Sequence, residues 1–220
     1  MTADTAARIE AAPVTDPANS LMVPSGSAWD TVKGHGISLA PTPLDQQPSA
    51  YVQKAWADRP YGKVSEATVS AATADGMLFL RVQWKAEDPR MAITDNGMFA
   101  DACGILFPSD GHQAELSTMG DDAHPVEAWF WRSGTPDPFV LIAAGMGSAT
   151  RQPRHRVSVA ADWADGTWTV VFWRQLQDEG VPLRPGTALP VGFAIWQGAL
   201  GERSGLKSHT PAWQELQISG

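Results

Sequence analysis

The chain has 220 residues, 43% of them hydrophobic, with 16 basic and 24 acidic side chains and a formal net charge of −8. That charge, with no basic run or stripe, excludes a nucleic-acid partner, which needs clustered cations to neutralise phosphates. The single cysteine, Cys103, excludes an internal disulfide and an iron–sulfur cluster, and the lack of a Cys-x-x-Cys-His run excludes covalently attached haem.

In chain order, residues 1–24 are rich in Ala, Thr and Pro and predict an N-terminal arm, a candidate docking surface for another subunit. They hold no apolar signal core and no twin-arginine pair. No apolar run reaches the ~18–20 residues of a membrane span. Residues 25–220 predict one domain. Residues 41–63 carry Pro41, Pro43, Pro48 and Pro60 with two tyrosines, and predict a loop that packs over a sheet or faces a partner.

Six segments predict strands: 76–84, 102–107, 125–132, 139–143, 167–174 and 190–197. In 76–84, Leu78, Leu80, Val82 and Trp84 alternate onto one face. In 167–174, Trp168, Val170 and Phe172 do the same. Asp75-Gly76 and Asp165-Gly166 precede two of these runs; Asp-Gly tolerates the positive φ of a tight hairpin turn. No long segment repeats every 3.6 residues. The predicted fold is all-β, an antiparallel β-sandwich of eight or more short strands with long loops and few short helices. Ten tryptophans put several large amphipathic rings into its core, a pocket or an interface.

Most catalytic chemistries find no support. There is no Gly-x-Ser-x-Gly turn for a serine nucleophile. His35, His112, His124, His155 and His209 are scattered, without zinc-ligand spacing, and read as surface or hydrogen-bonded histidines. Asp88, Asp95, Asp101, Asp110, Asp121 and Asp122 do not fit a calcium-binding loop and read as solvated acids. Gly104, Gly145 and Gly147 lack the strand–turn–helix setting of a phosphate cradle; their reading is close backbone approach, to a strand or to a flat cofactor. Taken alone, Met119 reads as a loop methionine and Lys207, one of five lysines, as a surface charge.

Residues 99–108 (FADACGILFP), 118–120 (TMG), 125–132 (PVEAWFWR), 144–147 (AGMG), 166–174 (GTWTVVFWR) and 191–198 (VGFAIWQG), running on to 202–208 (ERSGLKS), change that reading. Together and in this order they resemble the haem b (gamma) subunit of ethylbenzene dehydrogenase. The wider group is the gamma subunits of molybdenum enzymes related to dimethyl sulfoxide reductase, such as dimethyl sulfide dehydrogenase and chlorate reductase. The resemblance covers residues 29–218.

It implies a β-sandwich holding one non-covalent haem b with axial methionine and lysine. Carried over by position, the ligands are Met119, before Gly in the Thr-Met-Gly turn, and Lys207, after Arg-Ser-Gly-Leu. His209 faces the same way as Lys207 on a strand and is the alternative axial ligand, as in the methionine/histidine cytochrome domain of cellobiose dehydrogenase. Met91 and Met98, in a charge-rich loop, are alternatives to Met119. Phe107, Trp129, Trp131, Trp196 and Trp213 are expected in the apolar shell, and Arg174 and Arg203 near the haem propionates. The implied role is an electron-transfer subunit without catalytic residues of its own. Its implied partners are a molybdenum-cofactor catalytic subunit, an iron–sulfur subunit and a soluble carrier such as a cytochrome. The implied location is the periplasm, reached by co-export with a twin-arginine partner; a cytoplasmic location is the alternative. The reading from another class is a carbohydrate-binding β-sandwich module without haem, since such modules also present tryptophans.

Overall fold

The computed structural model describes residues 7–93, 98–154 and 156–220; Asp95, His155 and residues 1–6 lie outside it. Fourteen strands are described: β1 (Arg8–Pro13), β2 (Gly34–Ser38), β3 (Ala40–Pro41), β4 (Glu66–Ala74), β5 (Met77–Lys85), β6 (Ala102–Pro108), β7 (Val126–Arg132), β8 (Phe139–Ala143), β9 (Thr150–Arg151), β10 (Ser158–Ala164), β11 (Thr167–Gln175), β12 (Thr187–Trp196), β13 (Ser208–His209) and β14 (Gln214–Ile218). The two described α-helices are short, α1 (Ala18–Leu21) and α2 (Ala50–Trp56).

Each of the six predicted strands is present. Both Asp-Gly pairs turn hairpins, β4–β5 and β10–β11. Asp75 (φ 49°) and Gly76 (φ 73°) occupy the left-handed region, as do Asp165 (49°) and Gly166 (71°). Successive positive φ angles match the turn's twist to that of the strands it joins.

Strand pairing follows one path, β10-β11-β5-β4-β1-β14-β12-β6-β7-β8-β9, with β2 on β4 and a β3–β13 pair on β12. Strand β12 links the two halves. Its residues 187–191 pair with β14, and its residues 192–196 pair with β6. The halves face each other as the layers of a sandwich: Trp131 of β7 lies 5.0 Å from Trp168 of β11 and 6.3 Å from Trp84 of β5, centroid to centroid. Leu80, Val82, Val170 and Phe172 from one layer and Cys103, Ile105, Phe107, Trp129 and Ile195 from the other fill the core between them.

Two features depart from the sequence reading. Residues 8–13 form no arm: β1 is an interior strand, flanked by β14 and β4, with Ile9 and Ala11 fully buried. Burying an Ile side chain contributes about 1.5–3 kcal/mol, so this segment is part of the domain. Strand β1 is also parallel to both neighbours, within a sheet that is otherwise antiparallel. After it, α1 and Trp29 cover the outer face of the first layer, packing on Ala72, Ala74, Phe79 and Val171.

Candidate ligand cavity on the outer face of the second layer

Side chains alternate across a strand, so the second layer has two faces of different character. Its inner face carries the large core groups. Its outer face carries Ala102 and Gly104 of β6, Ala128 and Phe130 of β7, Leu141 of β8 and Trp196 of β12, and these floor a cavity of about 540 Å³. The volume lies within the usual range for small-ligand sites. Small residues on two adjacent strands, Ala102 and Gly104 of β6 and Ala128 of β7, leave the hollow. A Cβ on Gly104 would meet the Trp196 ring at 3.5 Å and Phe130 at 3.9 Å, so glycine here keeps the floor flat. Trp196 and Phe130 meet edge to face at 5.2 Å. Ile93, Phe99, Arg132 and Arg203 line it further, with Arg203 4.5 Å over the Phe99 ring.

Two loops supply thioethers. Met119 lines the cavity from the loop between β6 and β7, with φ of 61°. A non-glycine residue in that region costs roughly 1–2 kcal/mol, and such strain persists where the surroundings enforce it. Here they do. The Met119 N–H donates to the Leu116 carbonyl, and the Met119 carbonyl accepts from Gly145 N–H (3.2 Å). At Gly120 (φ 79°) a Cβ would lie 2.6 Å from the His124 carbonyl oxygen. The Gly145 contact ties this loop to the Gly145-Met146-Gly147 turn, and Met146 is the second thioether in the wall. Its sulfur lies 2.7 Å from where a Cβ on Gly205 would stand, so that glycine admits it.

Lys207 is wholly buried beside this wall. Its Nζ has no hydrogen-bond partner and lies 5.6 Å from the centroid of Trp196. Burial pushes its ammonium down to about 8. The residue is not itself in the cavity lining, but Trp196 and Gly205 are. The segment is held from outside by residues 39–63, which pack over it. Thr42 N–H donates to the Lys207 carbonyl (3.0 Å), Gln47 Nε2 donates to the Gly205 carbonyl (3.1 Å), and β3 pairs with β13. Glu202 locks the same cover by accepting from Gly62 N–H (2.6 Å) and Gln197 N–H (2.8 Å); burial pushes its carboxyl up to about 7. His209 follows on β13, with neither ring nitrogen hydrogen-bonded and its pKa lowered, first by burial.

Of the expected shell, Trp196 and Arg203 line the cavity, and Trp213 packs near it on the same face with Nε1–H on the Ala114 carbonyl. Phe107, Trp129, Trp131 and Arg174 do not. The first three point into the sandwich core. Arg174 donates to the carbonyls of Glu179 and Val181 and lies 4.0 Å from Glu127, which also accepts from Trp129 Nε1 and Val181 N–H. That network satisfies its two terminal nitrogens, while Nε has no hydrogen-bond partner. Met91 lines a separate cleft, and Met98 is not in the cavity lining. Met146, Arg132, Phe99 and Phe130 line the cavity and are not in the expected set. The available signal was alternation of small and large residues along β6 and β7, which separates a hollow face from a packed one.

The fold and site define a β-sandwich domain with an apolar cavity on one outer sheet face, bordered by two thioethers and a buried, unpaired amine. Residues 146–208, which include Trp196 and Lys207, match the family model described as "Ethylbenzene dehydrogenase". The chain is 34% identical to the chlorate reductase gamma subunit of Ideonella dechloratans over 67% of this chain and 63% of that one. It is 33% identical to the dimethylsulfide dehydrogenase gamma subunit of Rhodovulum sulfidophilum over 66% and 57%. With a provisionally named respiratory nitrate reductase heme subunit of Haloferax mediterranei the identity is 25% over 84% and 64%. The chain thus spans about three fifths of the length of these relatives. Among solved structures, a provisionally named carbohydrate-binding protein of Bacteroides uniformis has TM-score 0.57 at 11% identity, covering 98% of this chain and all of that one, a likeness of fold alone. The chain belongs to the family of gamma subunits of ethylbenzene dehydrogenase-type molybdoenzymes.

Proposed function

We propose that this chain is an electron-transfer subunit that holds one haem b in the cavity, with Met119 and Lys207 as axial ligands. The observation that carries the reading is the Lys207 amine: fully buried, without a hydrogen-bond partner, next to an apolar cavity. A buried, unsatisfied polar group costs ~1–3 kcal/mol and calls for a ligand or a role. A metal ion needs the neutral amine, and burial lowers the cost of removing its proton. Met119 offers a soft thioether held in a strained backbone conformation.

Bound haem b supplies a one-electron iron couple. The chain's own residues do the rest. Gly104, Ala102 and Ala128 leave room for a flat macrocycle against the sheet. Phe130, Leu141 and Trp196 exclude water around it. Arg132 and Arg203, on the cavity wall, would meet its carboxylates; Arg174 is outside the cavity lining. Residues 39–63 hold the Lys207 backbone, whose side chain is wholly buried. The heme subunit among the relatives supports this reading. By the same reading the chain relays electrons between an iron–sulfur subunit of a molybdenum oxidoreductase and a soluble carrier such as a cytochrome, in the periplasm.

The test is spectroscopic. Protein reconstituted with haem should show a Soret band and a low-spin spectrum, altered by Met119→Ala and by Lys207→Ala and not by His209→Ala. A change with His209→Ala alone moves the second ligand to His209. No Soret band at all sinks the haem reading and returns the fold to the carbohydrate-binding alternative.

A further inference from the structure

The loop that presents Met119 is closed at its root by a cluster outside the cavity. Asp110 follows β6 and His124 precedes β7. Between them Ser109 N–H donates to the Pro125 carbonyl, which fixes the two strand ends side by side. His124 Nδ1 lies 2.7 Å from Asp110 Oδ2, and His112 Nδ1 lies 3.3 Å from the same oxygen. The two imidazoles are 4.9 Å apart, centroid to centroid, and one ligand atom from each of the three residues falls within 4.8 Å of the others. Twelve positions separate the histidines, so nothing in the sequence spacing signals the pair.

We propose that Asp110, His112 and His124 bind one divalent transition-metal ion of borderline softness, zinc or copper. Two imidazole nitrogens and one carboxylate oxygen select these over hard cations such as calcium and magnesium. Tetrahedral zinc with bonds of ~2.0–2.1 Å places its ligand atoms about 3.3 Å apart. The His112–Asp110 separation already has that value, and the shorter His124–Asp110 contact opens when the ion replaces the shared proton. Two backbone hydrogen bonds orient the ligand residues. Asp110 Oδ1 accepts from His112 N–H (2.9 Å), leaving Oδ2 for the ion. Asp121 Oδ1 accepts from His124 N–H (2.9 Å) and holds that residue's backbone. The three side chains are partly open to solvent, which leaves the fourth position for water or a donor from a partner. The ion then braces the loop from which Met119 reaches the cavity.

The test uses the untagged full chain, stripped of metal with chelator and titrated calorimetrically with zinc chloride, then with copper(II). One ion per chain is expected, with binding weakened at least tenfold by His112→Ala and by His124→Ala. Zinc should also shift the imidazole NMR signals of both histidines in the unmutated chain, a readout independent of how the variants fold. The proposal fails if no saturable binding occurs below about 1 mM zinc. It fails equally if the His112→Ala/His124→Ala double variant binds as the parent does, or if those imidazole signals stay where they were.

Discussion

Lys207 is the residue whose placement costs the fold most plainly. Its aliphatic stem suits the interior, but its amine has no partner there. Replacing it with Met keeps the volume and removes the polar head. Lys207→Met is therefore expected to raise the stability of the haem-free chain by ~1–3 kcal/mol in urea unfolding while changing the low-spin spectrum of the reconstituted protein. That pair of outcomes would mark Lys207 as a residue kept for ligand binding at a cost in stability. A loss of stability in that variant would instead mark the amine as structural. Met119 shows the same trade at the backbone level, because its left-handed conformation is imposed by Leu116, Gly120 and Gly145.

At the scale of the element, β6 and β7 carry both the core and the site on opposite faces. Cys103, Ile105 and Phe107 look inward; Ala102 and Gly104 look out to the cavity. Enlarging the outward side chain should therefore spare the core. Gly104→Leu is expected to leave the urea midpoint near that of the parent and to lower haem retention at least about tenfold by filling the floor. Gly104→Ala, whose Cβ makes an ordinary 3.5 Å contact, should retain haem. This two-sidedness explains what the sequence left illegible. Both faces of β7 are apolar, Val126, Ala128 and Phe130 on one and Trp129 and Trp131 on the other, so no polar alternation marks which side is the core. Large aromatic rings drew the expected shell to Trp129 and Trp131, whereas the hollow face is where small residues stand. Strand β1 escaped for a related reason. Its short Arg-Ile-Glu-Ala-Ala-Pro run has only Ile9 as a large apolar group, and its interior place comes from the strands on either side.

Across the whole molecule, two buried carboxylates join distant parts of the chain. Asp101 accepts from Trp168 Nε1 in the opposite layer (2.8 Å), from Gly198 N–H (2.7 Å) and from Arg90 N–H (3.0 Å). It belongs to the core, not to the solvated acids with which the sequence grouped it. Glu202 joins the 39–63 cover to the second layer, and its folded pKa of about 7 lies above the ordinary 4.5. The folded state therefore holds more protons than the unfolded one between these values. The Glu202 contribution is complete below pH 4.5 and is lost as pH rises through 7. Relative to Glu202→Gln, the parent should lose up to about 3 kcal/mol of stability between pH 4.5 and pH 8, read from urea midpoints across that range.

The sequence by itself determined the local structure: six strands from apolar alternation and two hairpins from Asp-Gly pairs, because those signals act between residues a few positions apart. Its ordered motifs also determined the family, and with it the choice of Met119 and Lys207. The tertiary structure decided which face of each strand became core and which became cavity. It drew Met119, Met146 and Arg203 to one cavity, buried Lys207 beside it and bonded residues 39–63 to the Lys207 backbone. It also brought His112 and His124 to Asp110. These are meetings between segments far apart in the chain. They depend on how the two layers close on each other, which no short stretch of sequence encodes.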